Sequence, residues 1–423
     1  MTPVAQPVPS IGRLERVVVV GASLAGLRAC EVLRASGFAG TITLVGAERH
    51  RPYDRPPLSK KLLAGDWEPE RIQLRQPDAF DALGLDARLG VPAVGLDLDG
   101  RAVTLADGTT LAFDGAVLAT GSQPRRLPDQ PRGVLELRTL DDALVLRDRI
   151  ADGTARVIIV GAGFIGLEVA ATALGRGCTV TVLEGAPAPL MRGLGAELGA
   201  AATRALVERG VDVRCAVTVA AVASDAVTLG TGERVAGDVV LIGIGVAPTT
   251  GWLDGSGLTI TDGVVADATL RAAPGVYVAG DLARWPHTGF DEEIRIEHWT
   301  NAAEQGAAAA RNLLAAAAGA PGEEFATVPF VWSDQGRHRI QVLGRPATEP
   351  DDETHVAVGD LEGHAFVALI RRGEHLRGAV GVNAPKQLMA YQKLLAAGAS
   401  WTEARALAAT QTAPPAPAPA PTA

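Results

Sequence analysis

Two glycine-spaced loops are the residues in this sequence best suited to hold a phosphate. The first reads Gly21-Ala-Ser23-Leu-Ala25-Gly26 and the second Gly161-Ala-Gly163-Phe-Ile165-Gly166. In each, the first glycine permits a tight turn and a small residue at the third place lets backbone approach a pyrophosphate. The last glycine lets a helix pack closely on its strand, and that helix points its N-terminus at the bound charge. An acid closes the strand that follows each loop, Glu48 after the first and Glu184 after the second. A carboxylate there accepts bonds from ribose hydroxyls and repels a 2′-phosphate. No cation follows Glu184 until Arg192, so the second loop is expected to prefer NAD to NADP.

A third pattern separates the two loops by cofactor. Thr269 leads to the apolar run Val276-Tyr-Val-Ala279 and then to Gly280-Asp281. Gly280 admits a close ligand, and Asp281 can accept a bond from a polyol. FAD carries a ribityl chain and NAD does not, so FAD is assigned to the first loop and NAD to the second.

Each loop needs a strand before it and a helix and parallel strand after it, and the sequence supplies this grammar twice. Arg16–Val20, a helical pattern to Gly37 and the run Thr41 to Val45 make the first unit. Arg156–Val160, a helix to about Gly177 and Thr179 to Leu183 make the second. Phe113 to Gly121 and Asp238 to Gly245 read as further buried strands that break at glycine. Pro274 to Asp281 reads as the chain re-entering the first domain, which makes the NAD unit an insertion. Alternating runs at Arg339 to Leu343, His355 to Val358 and Ala365 to Ile370 predict an antiparallel sheet. A helix is expected from Pro385 to about Ala397. The Ala/Pro stretch from Pro414 cannot build a core.

Composition bounds the rest. With 423 residues, 47% hydrophobic and 21% charged, the chain is globular and long enough for two or three domains. A net charge of −9 argues against nucleic-acid binding. Residues 1–15 lack the pattern of a secretory signal, and Val17 to Val20 is too short to cross a bilayer, so a cytoplasmic protein without a membrane partner is expected. Cys30, Cys178 and Cys215 are far apart in sequence with no Cys-x-x-Cys, which fits reduced thiols and leaves no adjacent redox pair. No metal-ligand spacing is present.

The combined motifs resemble the putidaredoxin-reductase type of ferredoxin reductase. They are Val20-Gly-Ala-Ser-Leu-Ala-Gly26, Arg51-Pro-Tyr-Asp-Arg55-Pro-Pro-Leu-Ser-Lys60, Ala119-Thr120-Gly121, Gly161 through Ala171, Ala279-Gly-Asp281, Arg295-Ile-Glu-His-Trp299 and Phe330-Val-Trp332-Ser-Asp-Gln335. The resemblance spans about residues 15–395. It implies an α/β fold with two Rossmann-like domains, an FAD domain at 1–122 and 247–323 and an inserted NAD domain at 123–246. An α+β interface domain at 324–407 and an Ala/Pro tail at 408–423 complete the expected division.

Carried over by position, the resemblance places Ala25, Glu48, Arg55, Lys60, Ala93, Thr120, Gly121, Arg138, Asp281 and Trp299 at FAD. It puts Trp299 and Trp332 as walls around the isoalloxazine, and Ile165 and Gly245 with the NAD loop. Glu48 is preceded by Ala47 where the family often has a second acid, so Glu48 is expected to act alone on the ribose. Lys60 is one of four lysines, with 61, 386 and 393, in a chain of 39 basic residues, which hints that a compact ammonium is wanted there. The resemblance sets it beside the flavin, paired with Glu168, as the catalytic pair. From the residues alone, the favoured reading of Glu168 is a carboxylate near the positive end of its helix, and the resemblance reverses that.

The implied activity is transfer of electrons from NADH through FAD, one at a time, to a small acidic iron–sulphur ferredoxin that serves a cytochrome monooxygenase or ring-hydroxylating oxygenase. A flavoprotein NADH oxidase and a non-enzymatic NADH-sensing flavoprotein are the alternatives. Because the chain is itself acidic, docking such a partner needs a local basic face. Arg75, Arg295, Arg337 and Arg339 are its candidates.

Overall fold

The valine- and isoleucine-rich runs Arg16–Val20 and Arg156–Val160 each become the inner strand of a parallel sheet. The computed structural model describes residues 13–346 and 349–412, so the Ala/Pro stretch lies outside the described residues. Two compact units result. One takes the chain up to Asp54, Ile72–Gln123 and Ala247–Thr327; the other takes Arg55–Arg71, Pro124–Val246 and the chain from Val328 onward.

In the first unit six strands line up in the order Arg271–Ala273, Val276–Val278, Gly115–Leu118, Arg16–Val20, Thr41–Gly46 and Asp86–Leu89. All neighbours are parallel except the first pair. β-Branched residues suit these strands because both faces are covered. Val17 and Val19 pack with Leu27, Leu33, Ala309 and Leu313, whereas Val18 and Val20 pack with Leu118, Trp285 and Ile294. Val276–Val278 joins this sheet after the long excursion, as the re-entry reading requires.

Helix Leu24–Ala35 lies against the 19-residue helix Trp299–Ala317. Their contact is close: a Cβ on Gly306 would stand 2.1 Å from the Ala25 carbonyl oxygen. The sequence reading leaves Trp299–Ala317 unassigned; its buried face is largely alanine, with Asn301, Gln305, Asn312 and Leu313.

In the second unit a four-stranded parallel sheet runs Asp212–Arg214, Thr179–Leu183, Arg156–Val160, Val239–Ile242. Helix Phe164–Gly175 follows its glycine loop. A five-stranded antiparallel sheet holds the C-terminal part, in the order Phe330–Gln335, His338–Gly344, His375–Val382, Phe366–Arg372, Glu353–Gly359. Short helices complete its core. The single helix expected from Pro385 is two, Pro385–Met389 and Gln392–Ala396, and the break lets Leu388, Tyr391 and Leu395 enter one core. A third, Trp401–Ala408, begins with a Ser400/Glu403 capping box.

The segment Arg55–Arg71 belongs to the second unit through its bonds to helix Phe164–Gly175 and its C-cap. Thr172 Oγ1 donates to the Ser59 carbonyl at 2.8 Å, and Arg176 Nη1 to the Ala64 carbonyl at 2.6 Å. No described helix is long and apolar enough to cross a membrane.

Candidate nucleotide sites and the Lys60–Glu168 pair

The carboxyl ends of the inner strands converge in the first unit. Val20, Leu118 and Val278 are register partners, so the loops after them, carrying Gly21, Thr120-Gly121 and Gly280-Asp281, emerge side by side. Ligands of open α/β sheets bind at this edge. Gly21 takes φ +122°, and a Cβ there would lie 2.0 Å from the Ala119 carbonyl oxygen; at Gly26 it would lie 1.9 Å from that of Gly21. Only glycine fits either place. Ser23 stands at the N-cap position of the helix that begins at Leu24.

Around this edge the polar groups are arranged for a ligand with hydroxyls and phosphates. Ser122 Oγ donates to Asp281 Oδ2 at 2.6 Å. Gly280, at φ +72°, donates its N–H to Gln305 Oε1 at 2.8 Å. Gln305 is fully buried, and its Nε2 donor has no partner among the described residues. A buried amide without an acceptor beside a left-handed glycine fits a ligand oxygen. Tyr53 Oη donates to Glu48 Oε2 at 2.5 Å, orienting that carboxylate. Trp299 is 38% exposed at the head of its helix and donates from Nε1 to Asp54 Oδ1 at 2.6 Å. Thr120 turns its hydroxyl to the Thr249 carbonyl at 2.9 Å and so ties its loop to the returning chain. Ala25 is buried beneath Gly306, and Ala93 packs on the core from strand Ala93–Asp97. These groups fit FAD.

The second unit repeats the edge. Val160 is in register with Leu183 and with Ile242, which sets the Gly161 loop, Glu184 and the Gly245 turn next to one another. A Cβ on Gly161 would lie 2.3 Å from the Gly243 carbonyl oxygen, and one on Gly166 equally close to that of Gly161. Gly163 differs: apart from its chain neighbours, no atom of the described residues lies within 4 Å of where its Cβ would stand, so the N-terminus of the 12-residue helix is open to a phosphate. Ile165 is 42% exposed beside it. Glu184 is held over the loop, accepting from Ala162 N at 2.6 Å and Ala186 N at 2.8 Å. Gly245, at φ +102°, lies against Arg192 Nη1, which would be 2.9 Å from a Cβ there. The open helix end and the oriented carboxylate fit NAD(H).

The same unit brings Lys60 and Glu168 together, with Nζ 2.6 Å from Oε2. Glu168 is only 5% exposed, in the middle of the NAD helix. Ser59 Oγ donates to Oε2 at 2.5 Å, and Ser333 Oγ donates to Oε1 at 2.7 Å. One ammonium and two hydroxyls thus offset the desolvation of a buried carboxylate. The helix-end reading of Glu168 does not describe this geometry. Nearby in sequence, Arg55 donates to the Arg138 carbonyl at 2.5 Å. Trp332 stacks on Phe330 with ring centroids 5.9 Å apart.

The docking candidates divide. Arg295 is not available as a docking cation: its side chain is 10% exposed, pairs with Asp262 and Glu297, and donates to the Asp281 carbonyl. Its charge is consumed where it stands. Arg75 pairs with Glu31 at 2.6 Å and Arg339 with Asp334 at 2.7 Å, both remaining about half exposed. Arg337 is exposed at the Gly336 turn. The three cysteines form no disulfide, and burial pushes the Cys30 thiol up to about 12.

Sequence reasoning passed over Ser122, Gln305, Ser59 and Ser333. Ser122 directly follows Ala119-Thr-Gly121, and Ser59 directly precedes Lys60, so adjacency was the available signal. Ser333 likewise directly follows Trp332, whereas Gln305 carries no such signal, because its role depends on how its helix is packed.

The profile of the pyridine nucleotide-disulphide oxidoreductase family matches residues 15–306, and that of the reductase C-terminal family matches 330–413. Rhodocoxin reductase of Rhodococcus erythropolis is 36% identical over 90% of this chain and 89% of its own. Putidaredoxin reductase of Pseudomonas putida is 35% identical over 88% and 89%. The solved covalent putidaredoxin reductase–putidaredoxin complex matches with a TM-score of 0.84 at 32% identity, covering 92% of this chain and 94% of that one. With this agreement along nearly its whole length, the chain belongs to the pyridine nucleotide-disulphide oxidoreductase family, among its reductases of the putidaredoxin-reductase type.

Proposed function

We propose that this protein is an NADH:ferredoxin oxidoreductase, taking electrons from NADH through FAD to a small iron–sulphur protein that serves an oxygenase. One observation carries the choice among activities of this family: the three cysteines, all within described residues, form no disulfide, and two of them are buried. Electrons taken from NADH therefore have to leave for an external acceptor. The relatives support the acceptor class, since rhodocoxin reductase and putidaredoxin reductase are named for theirs.

FAD, when bound, supplies the exchange between a two-electron hydride donor and a one-electron acceptor, which nicotinamide alone does not. The chain's own residues bind and orient. Gly21, Gly26, Glu48 and Asp281 hold the flavin nucleotide, with Ser122 fixing Asp281 and Gln305 fixing Gly280. Gly163 opens the helix N-terminus to the NADH pyrophosphate, and Glu184 selects a free ribose 2′-hydroxyl. Lys60, held by Glu168, keeps N–H donors for the flavin that the resemblance sets beside it. Hydride transfer needs no general base, and none is assigned. A cytoplasmic setting fits the reduced thiols and the use of NADH.

The test is reduction of cytochrome c by NADH with the purified protein and each ferredoxin encoded near it. Turnover that depends on one added ferredoxin is expected. Rapid NADH consumption with oxygen alone, unaffected by any ferredoxin, would overturn the reading in favour of an oxidase.

A further inference from the structure

Glu168 uses both carboxylate oxygens, and the donors come from two separated stretches of chain. Oε2 takes Lys60 Nζ at 2.6 Å and Ser59 Oγ at 2.5 Å; Oε1 takes Ser333 Oγ at 2.7 Å. Ser59 lies on the Pro56–Ser59 turn, itself tied to the NAD helix by Thr172. Ser333 lies on Phe330–Gln335, the edge strand of the C-terminal sheet, and is fully buried. Side chains alternate along a strand, so Ser333 turns one way and its neighbour Trp332 the other.

A carboxylate held through one oxygen can rotate about its last bond and carry its partner with it. Held through both oxygens by donors on rigid elements, it has one orientation. Bonds from hydroxyl to ionised carboxylate are also stronger than neutral ones. The hydroxyl of Ser333 thus decides where Oε2 points, and Oε2 decides where the ammonium of Lys60 sits.

We propose that Ser333, assisted by Ser59, is a positioning residue of this reductase: it locks Glu168 so that the ammonium of Lys60 is held in one geometry. The inference rests on the reading of Lys60 as the residue that faces the flavin.

Two measurements test it. The first does not depend on turnover. The chain has only four lysines, so each amine can be followed by mass spectrometry after brief acylation of the FAD-loaded protein with a neutral reagent. Lys60 is 17% exposed and paired, whereas Lys61 is 58% exposed. Ser333→Ala should raise the acylation rate of Lys60 about tenfold, the loss expected for one bond to a charged group, and leave Lys61, Lys386 and Lys393 unchanged. Ser59→Ala should act in the same direction and serves as the second variant if Ser333→Ala does not fold.

The second is the rate of flavin reduction by NADH in single turnover, measured for Ser333→Ala, for Lys60→Met and for the double variant. Ser333→Ala should slow reduction about tenfold alone and add nothing in the Lys60→Met background, because it acts only through that lysine. Equal slowing in both backgrounds would make Ser333 a general packing residue and overturn the proposal, as would unchanged acylation of Lys60. A Lys60→Met protein reduced at the parent rate would overturn the reading of Lys60 itself, and the serine's role with it. That outcome is separate from a failure of Ser333→Ala alone.

Discussion

Asp114 grips Arg16 through both carboxylate oxygens: Oδ1 takes Nη2 at 2.8 Å and Oδ2 takes the backbone N–H, also at 2.8 Å. Asp238 and Arg156 repeat the arrangement at 2.8 and 2.9 Å. Each arginine opens the inner strand of its parallel sheet, and each aspartate directly precedes the strand beside it. The two nucleotide sheets are therefore clamped at the end opposite their ligand loops by the same device.

Both clamps make acid stability predictable. The side-chain bond from Arg16 leads the causes that lower the Asp114 carboxyl to about 2, and the bond from Arg156 does the same for Asp238. A carboxyl depressed in the folded state adds stability that is complete above its unfolded pKa, roughly 3.9. That contribution is lost as pH falls from there through the folded value. The urea midpoint should therefore drop between about pH 4 and 2, and Asp114→Asn should both lower it at neutral pH and flatten the drop. A variant with the parent's slope would show that Asp114 is not a source of it.

Glu184 should set the coenzyme preference. Its two oxygens are fixed by Ala162 N and Ala186 N, so the charge cannot swing away from an incoming 2′-phosphate. Glu184→Ala should narrow the NADH-to-NADPH ratio of kcat/KM by at least about tenfold, through KM more than kcat, since the contact is remote from the reacting carbon. An unchanged ratio would move the discrimination elsewhere.

Much of this site is legible in the sequence, and the boundary has a physical cause. Glycine loops and strand-closing acids are local: Gly21, Gly26, Gly161 and Gly166 must be glycine because backbone lies within van der Waals distance of any Cβ, and that need shows as spacing. Asp281 and Lys60 are visible from their neighbours. What supports them is not. Gln305 reaches Gly280 from inside a helix that the sequence reading leaves unassigned, and Ser333 reaches Glu168 across 165 positions of chain. Arg295 shows the converse failure: an arginine read as a docking cation is spent on Glu297, two residues on, and on Asp262, which the fold brings near.

Ser122 should matter to cofactor retention. Its hydroxyl donates to Asp281 at 2.6 Å, so it fixes the carboxylate that receives the polyol. Ser122→Ala should weaken FAD binding to the apoprotein by about 1.5 kcal/mol, roughly tenfold in Kd, read from quenching of flavin fluorescence. Gln305→Leu should weaken it at least as much, because Gly280 N–H loses its acceptor as well. Parent-like affinity in both would separate this edge from FAD.

Alkylation should spare activity. Cys30 and Cys178 are buried and Cys215 is half-buried, and burial raises all three thiols, which makes them poor nucleophiles at neutral pH. Under mild alkylation Cys215 should react first, and NADH-dependent dye reduction should persist in the singly modified protein. Loss of dye reduction in step with Cys215 modification would reopen a thiol mechanism.

Ferredoxin docking should depend on Arg337 more than on the other candidate cations. Burial, then the neighbouring His364 and Arg209, lower the His338 pKa, so this half-buried imidazole adds no charge to the face at neutral pH. Arg339 shares its guanidinium with Asp334, Arg75 shares its own with Glu31, and Arg295 is nearly enclosed between two acids. Arg337, on the exposed turn after Gln335, is left to meet an acidic partner. Steering by such a charge acts on encounter and is screened beyond about 10 Å at 0.1 M salt. Reduction of a ferredoxin should fall with ionic strength while reduction of a small neutral acceptor does not. Arg337→Glu should raise KM for ferredoxin several-fold and leave KM for NADH unchanged. Arg295→Glu should instead lower the thermal midpoint, because it sets a third carboxylate between Asp262 and Glu297. If Arg337→Glu leaves ferredoxin reduction and its salt dependence as they were, the attraction comes from other residues, and this turn is not part of the docking face.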